Sequence, residues 1–181
     1  MKFSNRENER VELPDGRVIF ISRSVAVAYQ LHAILGDDRY VLLCKRGKEA
    51  IGGPSKWCLP CGYLDWDESG ERAVIRELWE ETGLVLTDVL FEEKSKVIKS
   101  YLHDPWKVVS DPHLDERQNV TLHYGTILQR SDDMLPMPSN KNAAPGEIDE
   151  VRWINIKDLE SIDFAFNHDR RIKEFISFST I

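Results

Sequence analysis

A chain of 181 residues with 41% hydrophobic and 30% charged side chains can bury about 70% of its unfolded surface, so one domain over 1–181 is expected and no disulfide or metal staple is needed. Apolar runs such as Val25–Ala28 and Val41–Cys44 fall far short of the ~20 residues of a membrane span. The 24 Lys and Arg against 31 Asp and Glu give a net charge of −7, which argues against a broad nucleic-acid-binding surface.

Met1–Arg10 is polar and lacks the apolar stretch of a secretory signal, so a cytoplasmic location is expected. Met1–Ile21 reads either as a strand over the core or as part of a dimer contact. Ser24–Leu31 and Arg39–Lys45 read as two strands of a hairpin turned at Gly36-Asp37-Asp38. Glu49–Pro60 reads as a loop, punctuated by Gly52-Gly53-Pro54. Glu71–Thr82 has helical periodicity, with Ser69 as N-cap and Gly83 as the residue that ends it. Val89–Leu102 and Asn119–Leu128 read as strands joined by a polar connection, and Ser131–Gly146 as a mobile loop rich in Pro, Asn and Ser. Glu150–Ile156 reads as a strand, and Asp158–Leu159 and His168–Phe178 as helical. Strands outnumber helices without regular alternation, which is the pattern of an α+β layered fold with a mixed sheet.

Three cysteines, Cys44, Cys58 and Cys61, are too few for a disulfide framework and fit a reducing compartment. Cys58-Leu-Pro-Cys61 has redox or zinc spacing, but Gly62 and an acidic loop follow it and no His pairing completes a zinc site. These are read as packing cysteines.

The chemistry is concentrated between Gly62 and Leu84, where seven acids face two bases, a net of −5 over 23 residues. With Ala73 set at zero and about 100° per residue, Val74, Ile75, Leu78 and Trp79 fall between roughly 100° and 240°, an apolar stripe. Glu80, Glu77 and Glu81 fall at about 340°, 40° and 80°, sharing one arc beside that stripe. Like charges at such spacing repel by a few tenths of a kcal/mol per pair when solvated, and more near a core. Only Arg76 is placed to relieve them. Clustered hard oxygen ligands without His or Cys suit Mg2+ or Mn2+ rather than zinc.

The run Gly62-Tyr-Leu-Asp-Trp-Asp-Glu68-Ser-Gly-Glu-Arg-Ala-Val-Ile-Arg76-Glu77-Leu78-Trp-Glu80-Glu81-Thr-Gly83-Leu84 resembles the Nudix box, G-x5-E-x7-R-E-U-x-E-E-x-G-U, at every fixed position. The resemblance implies a Nudix α/β/α sandwich and a hydrolase of nucleoside diphosphates linked to another moiety. It implies Glu77, Glu80 and Glu81 as metal-binding carboxylates with the Gly62 carbonyl as a further ligand, and Glu77 and Glu81 as catalytic. Glu68 and Arg76 are implied to hold loop and helix together by paired charges. A bound Mg2+ or Mn2+ suits a diphosphate, whose own charge repels a nucleophile.

Family glutamates outside the box often act as general base. Gly146–Trp153 resembles that location, with Glu147 the first choice and Glu150 the second. Lys45 and Arg46 are candidates to meet a phosphate, and Tyr63, Trp66, Trp106 and Tyr124 to stack on a base. The segments Asp111–Arg117 and Phe164-Ala-Phe166-Asn167-His168 are loosely similar to ADP-ribose-pyrophosphatase-like Nudix proteins, the second with Asn167 where those have Asp. The expected partner is a small nucleotide, ADP-ribose or a nucleotide sugar, with no nucleic acid or membrane, and a homodimer is left open. Two alternatives stand beside it: a nucleoside triphosphate pyrophosphohydrolase, and a non-catalytic ligand sensor. A sensor regulator would carry a DNA-binding module, and the 28 residues after Trp153 lack a basic recognition helix.

Overall fold

The computed structural model describes residues 8–111, 118–132 and 134–179. Among the described residues, ten strands and three α-helices run in the order β1 (Glu9–Glu12), β2 (Val18–Ile21), β3 (Val25–Leu35), β4 (Asp38–Arg46), β5 (Trp57–Cys58), β6 (Cys61–Tyr63), α1 (Gly70–Thr82), α2 (Leu86–Phe91), β7 (Ser95–Tyr101), β8 (Lys107–Val109), β9 (Val120–Arg130), β10 (Ile148–Asn155) and α3 (His168–Ser179). Strands β1 and β2 form a separate hairpin, with Val18–Ile21 exposed. The main sheet has the order β10-β4-β3-β9-β7, with β5 on β4, β6 on β3 and β8 on β9. It is mixed, because β3 and β9 run parallel while the other pairs are antiparallel.

Side chains alternate across the central strands, so each strand feeds two cores. Val27, Tyr29 and Leu31 of β3 and Leu42 of β4 pack with Ala73, Val74 and Leu78 of α1 and Leu86 and Val89 of α2. From the opposite face, Ala28, Val41 and Leu43 pack with Leu59, Leu159 and Ile172 of α3. Helices therefore cover both faces, the α/β/α sandwich expected from the sequence. Among the described residues, no helix is long and apolar enough to cross a membrane.

The site sits where the sheet forks. At the hairpin end β3 pairs directly with β4, from Leu35↔Asp38 to His32↔Val41. Beyond it the strands part: Ala26–Ala28 pair with β6, while Cys44 and Lys45 pair with β5. The β5–β6 segment fills the gap, with the Tyr29 N–H donating to the Pro60 carbonyl (2.9 Å).

Helix α1 begins at Ser69, whose hydroxyl accepts from the Arg72 N–H, and ends at Gly83 in the left-handed conformation (φ 68°). Several sequence expectations need correction. The front of the expected strand Val89–Leu102 belongs to α2, because Leu86, Val89 and Leu90 recur at helical spacing and pack on the α1 side of the sheet. Short β5 and β8 occupy stretches expected as connections. Within the expected mobile loop Ser131–Gly146, residues 136–142 are tied down rather than free. The Ser139 N–H donates to the Thr82 carbonyl (2.7 Å), Asn142 Nδ2 to the Trp79 carbonyl (3.2 Å) and Trp153 Nε1 to the Pro136 carbonyl (2.8 Å). The first of these satisfies the last carbonyl of α1, while the Trp79 carbonyl accepts both Asn142 and the Gly83 N–H (2.9 Å). Finally, Trp79, expected in the buried stripe, is 47% exposed; the helix is rotated so that Glu77 and Glu81 face inward instead.

Candidate active site

Glu77 and Glu81 lie one turn apart on α1, 7% and 1% exposed, against the β6 edge of the fork. The Cys61 N–H donates to Glu81 Oε2 (3.1 Å), while Glu81 Oε1 is buried and has no hydrogen-bond partner. Gly62 follows directly, and a Cβ there would stand 2.0 Å from Glu77 Oε1. A side chain is therefore excluded where strand and carboxylate meet. Burial pushes the Glu77 carboxyl up to about 7, against the pull of Arg76 and aided by the charges of Glu80 and Glu147. Burial raises the Glu81 carboxyl as well, with the charges of Cys61, Glu77 and Glu147 adding to it.

A single guanidinium organises the rest. Arg76 grips Glu68 through Nε to Oε2 (3.2 Å) and Nη2 to Oε1 (2.7 Å), a two-pronged pair. Its Nη1 donates to Glu77 Oε1 (2.6 Å) and Glu80 Oε2 (3.0 Å), and Nη2 also to the Tyr63 carbonyl (3.0 Å). Glu68 Oε1 in turn accepts the Asp65 N–H (2.9 Å), and Arg76 holds its carboxyl below the usual range. Among the described residues, no three His, Cys, Asp or Glu side chains converge as a closed metal cage. Glu77 and Glu80 share Arg76, and Glu81 turns toward the Cys61 amide. The donor set nonetheless fits a hard divalent cation: carboxylate oxygens, one of them buried without a partner, desolvated and mutually repelling.

A cleft of about 1010 Å3 opens over this edge, lined by Gly62, Tyr63, Glu77, Glu80 and Glu147 on one side. Glu147 arrives on the loop before β10. The Gly47 N–H donates to the Glu147 carbonyl (2.8 Å), and a Cβ on Gly47 would stand 1.8 Å from the Gly146 carbonyl oxygen. Glu150 pairs with Arg152 and is not a cleft residue. Arg46 lines the cleft, donates to the Ile51 carbonyl (2.9 Å) and lies over the Phe166 ring (5.0 Å), whereas Lys45 sits outside the cleft opposite Glu150 and Trp57. Of the four aromatic candidates only Tyr63 lines the cleft. Trp66 is 95% exposed, Tyr124 is buried in the core, and Trp106 packs against Phe175 and Phe178. Asp111 also lines the cleft; Pro112–Arg117 lie outside the described residues. His123 and His168 line it as well. His168 belongs to the Phe164–His168 stretch already singled out, while His123 had only a faint signal, as a polar residue in an apolar strand.

Solved structures sharing this architecture include the NUDIX domain of Shewanella oneidensis NrtR complexed with ADP ribose (TM-score 0.60, 20% identity, covering 88% of this chain and 90% of that one). Another is a bifunctional NMN adenylyltransferase/ADP ribose pyrophosphatase of Francisella tularensis (TM-score 0.61, 24% identity, 86% and 42% covered). At these identities they define the fold. The NUDIX domain family model matches residues 27–175, and the chain belongs to that family, as a Nudix hydrolase. Among its relatives are an ADP-ribose pyrophosphatase of Methanocaldococcus jannaschii, 28% identical over 82% of this chain and 73% of that protein, and an RNA pyrophosphohydrolase of Acidiphilium cryptum, 25% identical over 77% and 83%. The Bos taurus m7GpppN-mRNA hydrolase NUDT17 is 30% identical over 80% of this chain, which spans 44% of that protein.

Proposed function

We propose that residues 1–181 form one catalytic unit, a Mg2+- or Mn2+-dependent hydrolase of the pyrophosphate bond in a nucleoside diphosphate linked to another moiety, with ADP-ribose or a nucleotide sugar as substrate. The observation that carries this reading is the buried pair Glu77 and Glu81, with one Glu81 oxygen unpartnered. Burying two carboxylates a turn apart is costly, and a cation against them offsets the cost. Glu77, Glu80, Glu81 and the Gly62 carbonyl would hold it. A divalent cation held there would supply Lewis acidity toward the phosphoryl oxygens and lower the pKa of a water. Arg76 keeps Glu77 and Glu80 oriented, and Glu68 keeps Arg76 oriented. Glu147, on the cleft wall, is the group that takes the proton from the water, with Glu77 and Glu81 its catalytic partners.

A small nucleotide is favoured over RNA by the charges of the cleft. Arg76 is spent on Glu68, Glu77 and Glu80, Lys56 on Asp163 (3.1 Å), and Arg171 on Glu174 (2.6 Å), whereas Arg46 meets a carbonyl and a ring, so among the described residues the cleft offers a diphosphate one cation rather than a basic track for a polyanion. The relatedness to the M. jannaschii ADP-ribose pyrophosphatase supports the same class. The test is phosphoanhydride cleavage across ADP-ribose, other nucleotide sugars, dinucleotides, nucleoside triphosphates and capped RNA, with Mg2+, Mn2+ or chelator, beside Glu81→Gln. Cleavage of a nucleoside diphosphate conjugate that chelator and the substitution both abolish is expected. Preferred cleavage of triphosphates or capped RNA would overturn the substrate class. Silence with ligand-induced thermal stabilisation would make the protein a sensor and refute the mechanism.

A further inference from the structure

The cleft has a second end, away from the carboxylates of α1. On β9, Thr121 and His123 alternate onto the side that faces α3, and both line the cleft. Phe166, Asn167 and His168, at the start of α3, line it from across. We propose that this end, built on His123, His168 and Asn167, is a subsite for the hydroxyl-bearing sugar carried by the diphosphate, a proposal that rests on the diphosphate-hydrolase reading.

Both imidazoles are buried, His123 to 2% and His168 to 4% exposure. The Leu59 N–H donates to His168 Nδ1 (2.9 Å), so the neutral ring carries its proton on Nε2. Burial pushes both rings below the usual imidazole range, His123 to about 3 with the charges of Arg171 and Lys107 adding to it, and His168 with those of His123, Arg46 and Arg171. They are neutral at any physiological pH. His123 Nδ1 is buried with no hydrogen-bond partner, a state that native proteins rarely leave uncorrected. The group that completes it is therefore one that hydrogen-bonds.

Charge bookkeeping across the wall agrees. Arg171 is answered by Glu174, which also accepts from Lys107 (2.7 Å) and Arg170 (3.0 Å). Arg46, over the Phe166 ring, meets a carbonyl and a ring rather than a carboxylate, and is the cation placed to hold the diphosphate beside the sugar. One face of the Phe166 ring is covered by the Arg46 guanidinium (5.0 Å) and the ring stands edge-on to His168 (5.5 Å), while His123 is tilted against Trp106 (6.1 Å). The two imidazoles stand edge to face at 6.4 Å between centroids. Two hydrogen bonds to one hydroxyl, or to neighbouring hydroxyls, span such a gap. A hydroxyl both accepts from His168 Nε2–H and serves either tautomer of His123. Phe166 and Asn167 are successive left-handed residues (φ 59° and 55°). Strain of that kind is uncommon for a bulky residue, and here it brings the neutral Asn167 amide to the same wall.

The test measures affinity for the α,β-methylene analogues of ADP-ribose and ADP, which resist cleavage, by calorimetry in Mg2+. Wild type is expected to bind the ADP-ribose analogue at least tenfold more tightly than the ADP analogue. His123→Phe, which keeps a ring without its nitrogens, should abolish that ratio while leaving the ADP analogue unchanged. Asn167→Gly, compatible with the left-handed backbone and so safe for folding, should cut the ratio several-fold. A wild-type ratio near one, binding of neither analogue, or an equal weakening of both by either variant (the sign of a base in this subsite) overturns the proposal. Parallel hydrolysis assays keep the two readings apart. Cleavage without sugar discrimination refutes the subsite and leaves the hydrolase, whereas discrimination without cleavage does the reverse.

Discussion

Gly62→Ala isolates the closest contact in the site. A methyl group there would stand 2.0 Å from Glu77 Oε1, 2.3 Å from its Cδ and 2.6 Å from Oε2. Gly62 is not among the left-handed glycines, so alanine suits its backbone and the cost is steric. The carboxylate cannot swing away freely, because it is 7% exposed and accepts the Arg76 Nη1 bond at 2.6 Å. Overpacking of this kind costs about 1–3 kcal/mol, and in a chain of this size about 2 kcal/mol lowers the thermal midpoint by about 4–8 °C. Displacing a carboxylate assigned to the cation should also reduce kcat on the order of 100-fold, because small misplacements in a reactive constellation are expensive. The decisive assay is a double-mutant cycle in urea, combining Gly62→Ala with Glu77→Ala. Removing the Glu77 side chain removes the obstacle, so the alanine at position 62 should then cost under about 0.5 kcal/mol, a coupling of about 1.5 kcal/mol. An unchanged cost in the Glu77→Ala background would refute the steric argument.

In chelator, Glu81→Gln should leave the thermal midpoint within about 2 °C of wild type, since burial already disfavours the charge. Mg2+ at about a hundred times its Kd should then raise wild type by about 5–10 °C and the variant by nothing, read by calorimetry. Arg76→Lys replaces a fork that serves Glu68, Glu77, Glu80 and the Tyr63 carbonyl with one ammonium, and should cost about 1–3 kcal/mol in urea unfolding, with partial loss of turnover. Burial raises the Glu174 carboxyl, but hydrogen bonds from Lys107, Arg171 and Arg170 outweigh it and bring the group down to about 2, from 4.5 in the unfolded chain. Its stabilisation is thus complete above pH 4.5 and lost as pH falls toward 2. Thermal melts of Glu174→Gln should lie below wild type at pH 7 and converge with it near pH 2.

Helix α1 was legible because its signals are local: the Ser69 cap, the apolar spacing and the Gly83 stop all lie within the segment. Its rotation was not. Apolar spacing alone turns Val74, Ile75, Leu78 and Trp79 inward, yet the buried arc runs through Ala73, Glu77 and Glu81, and Trp79 stays out. What decides the rotation lies elsewhere in the chain: the β6 edge with its missing side chain at Gly62, and the residue 139–142 stretch packed over the last turn. The sheet fork was hidden for the same reason, since pairing of β6 with β3 and of β5 with β4 joins segments whose own sequences read as loop. His123 gains its meaning from His168, which reaches it only through the packing of α3 on the sheet.

The local charge balance argues most directly for what the site requires. Of the two bases between Gly62 and Leu84, Arg72 is exposed at the helix surface, so the acids of the fork depend on Arg76. That one guanidinium touches Glu68, Glu77 and Glu80 and stands 3.6 Å from Asp65. Glu81, the most deeply buried of them, is left with a single backbone amide and an empty second oxygen. The divalent cation we propose would supply the missing charge in the volume of a few atoms and leave room for the proposed diphosphate, so acidity that would only destabilise a closed core becomes compatible with an open, working cleft.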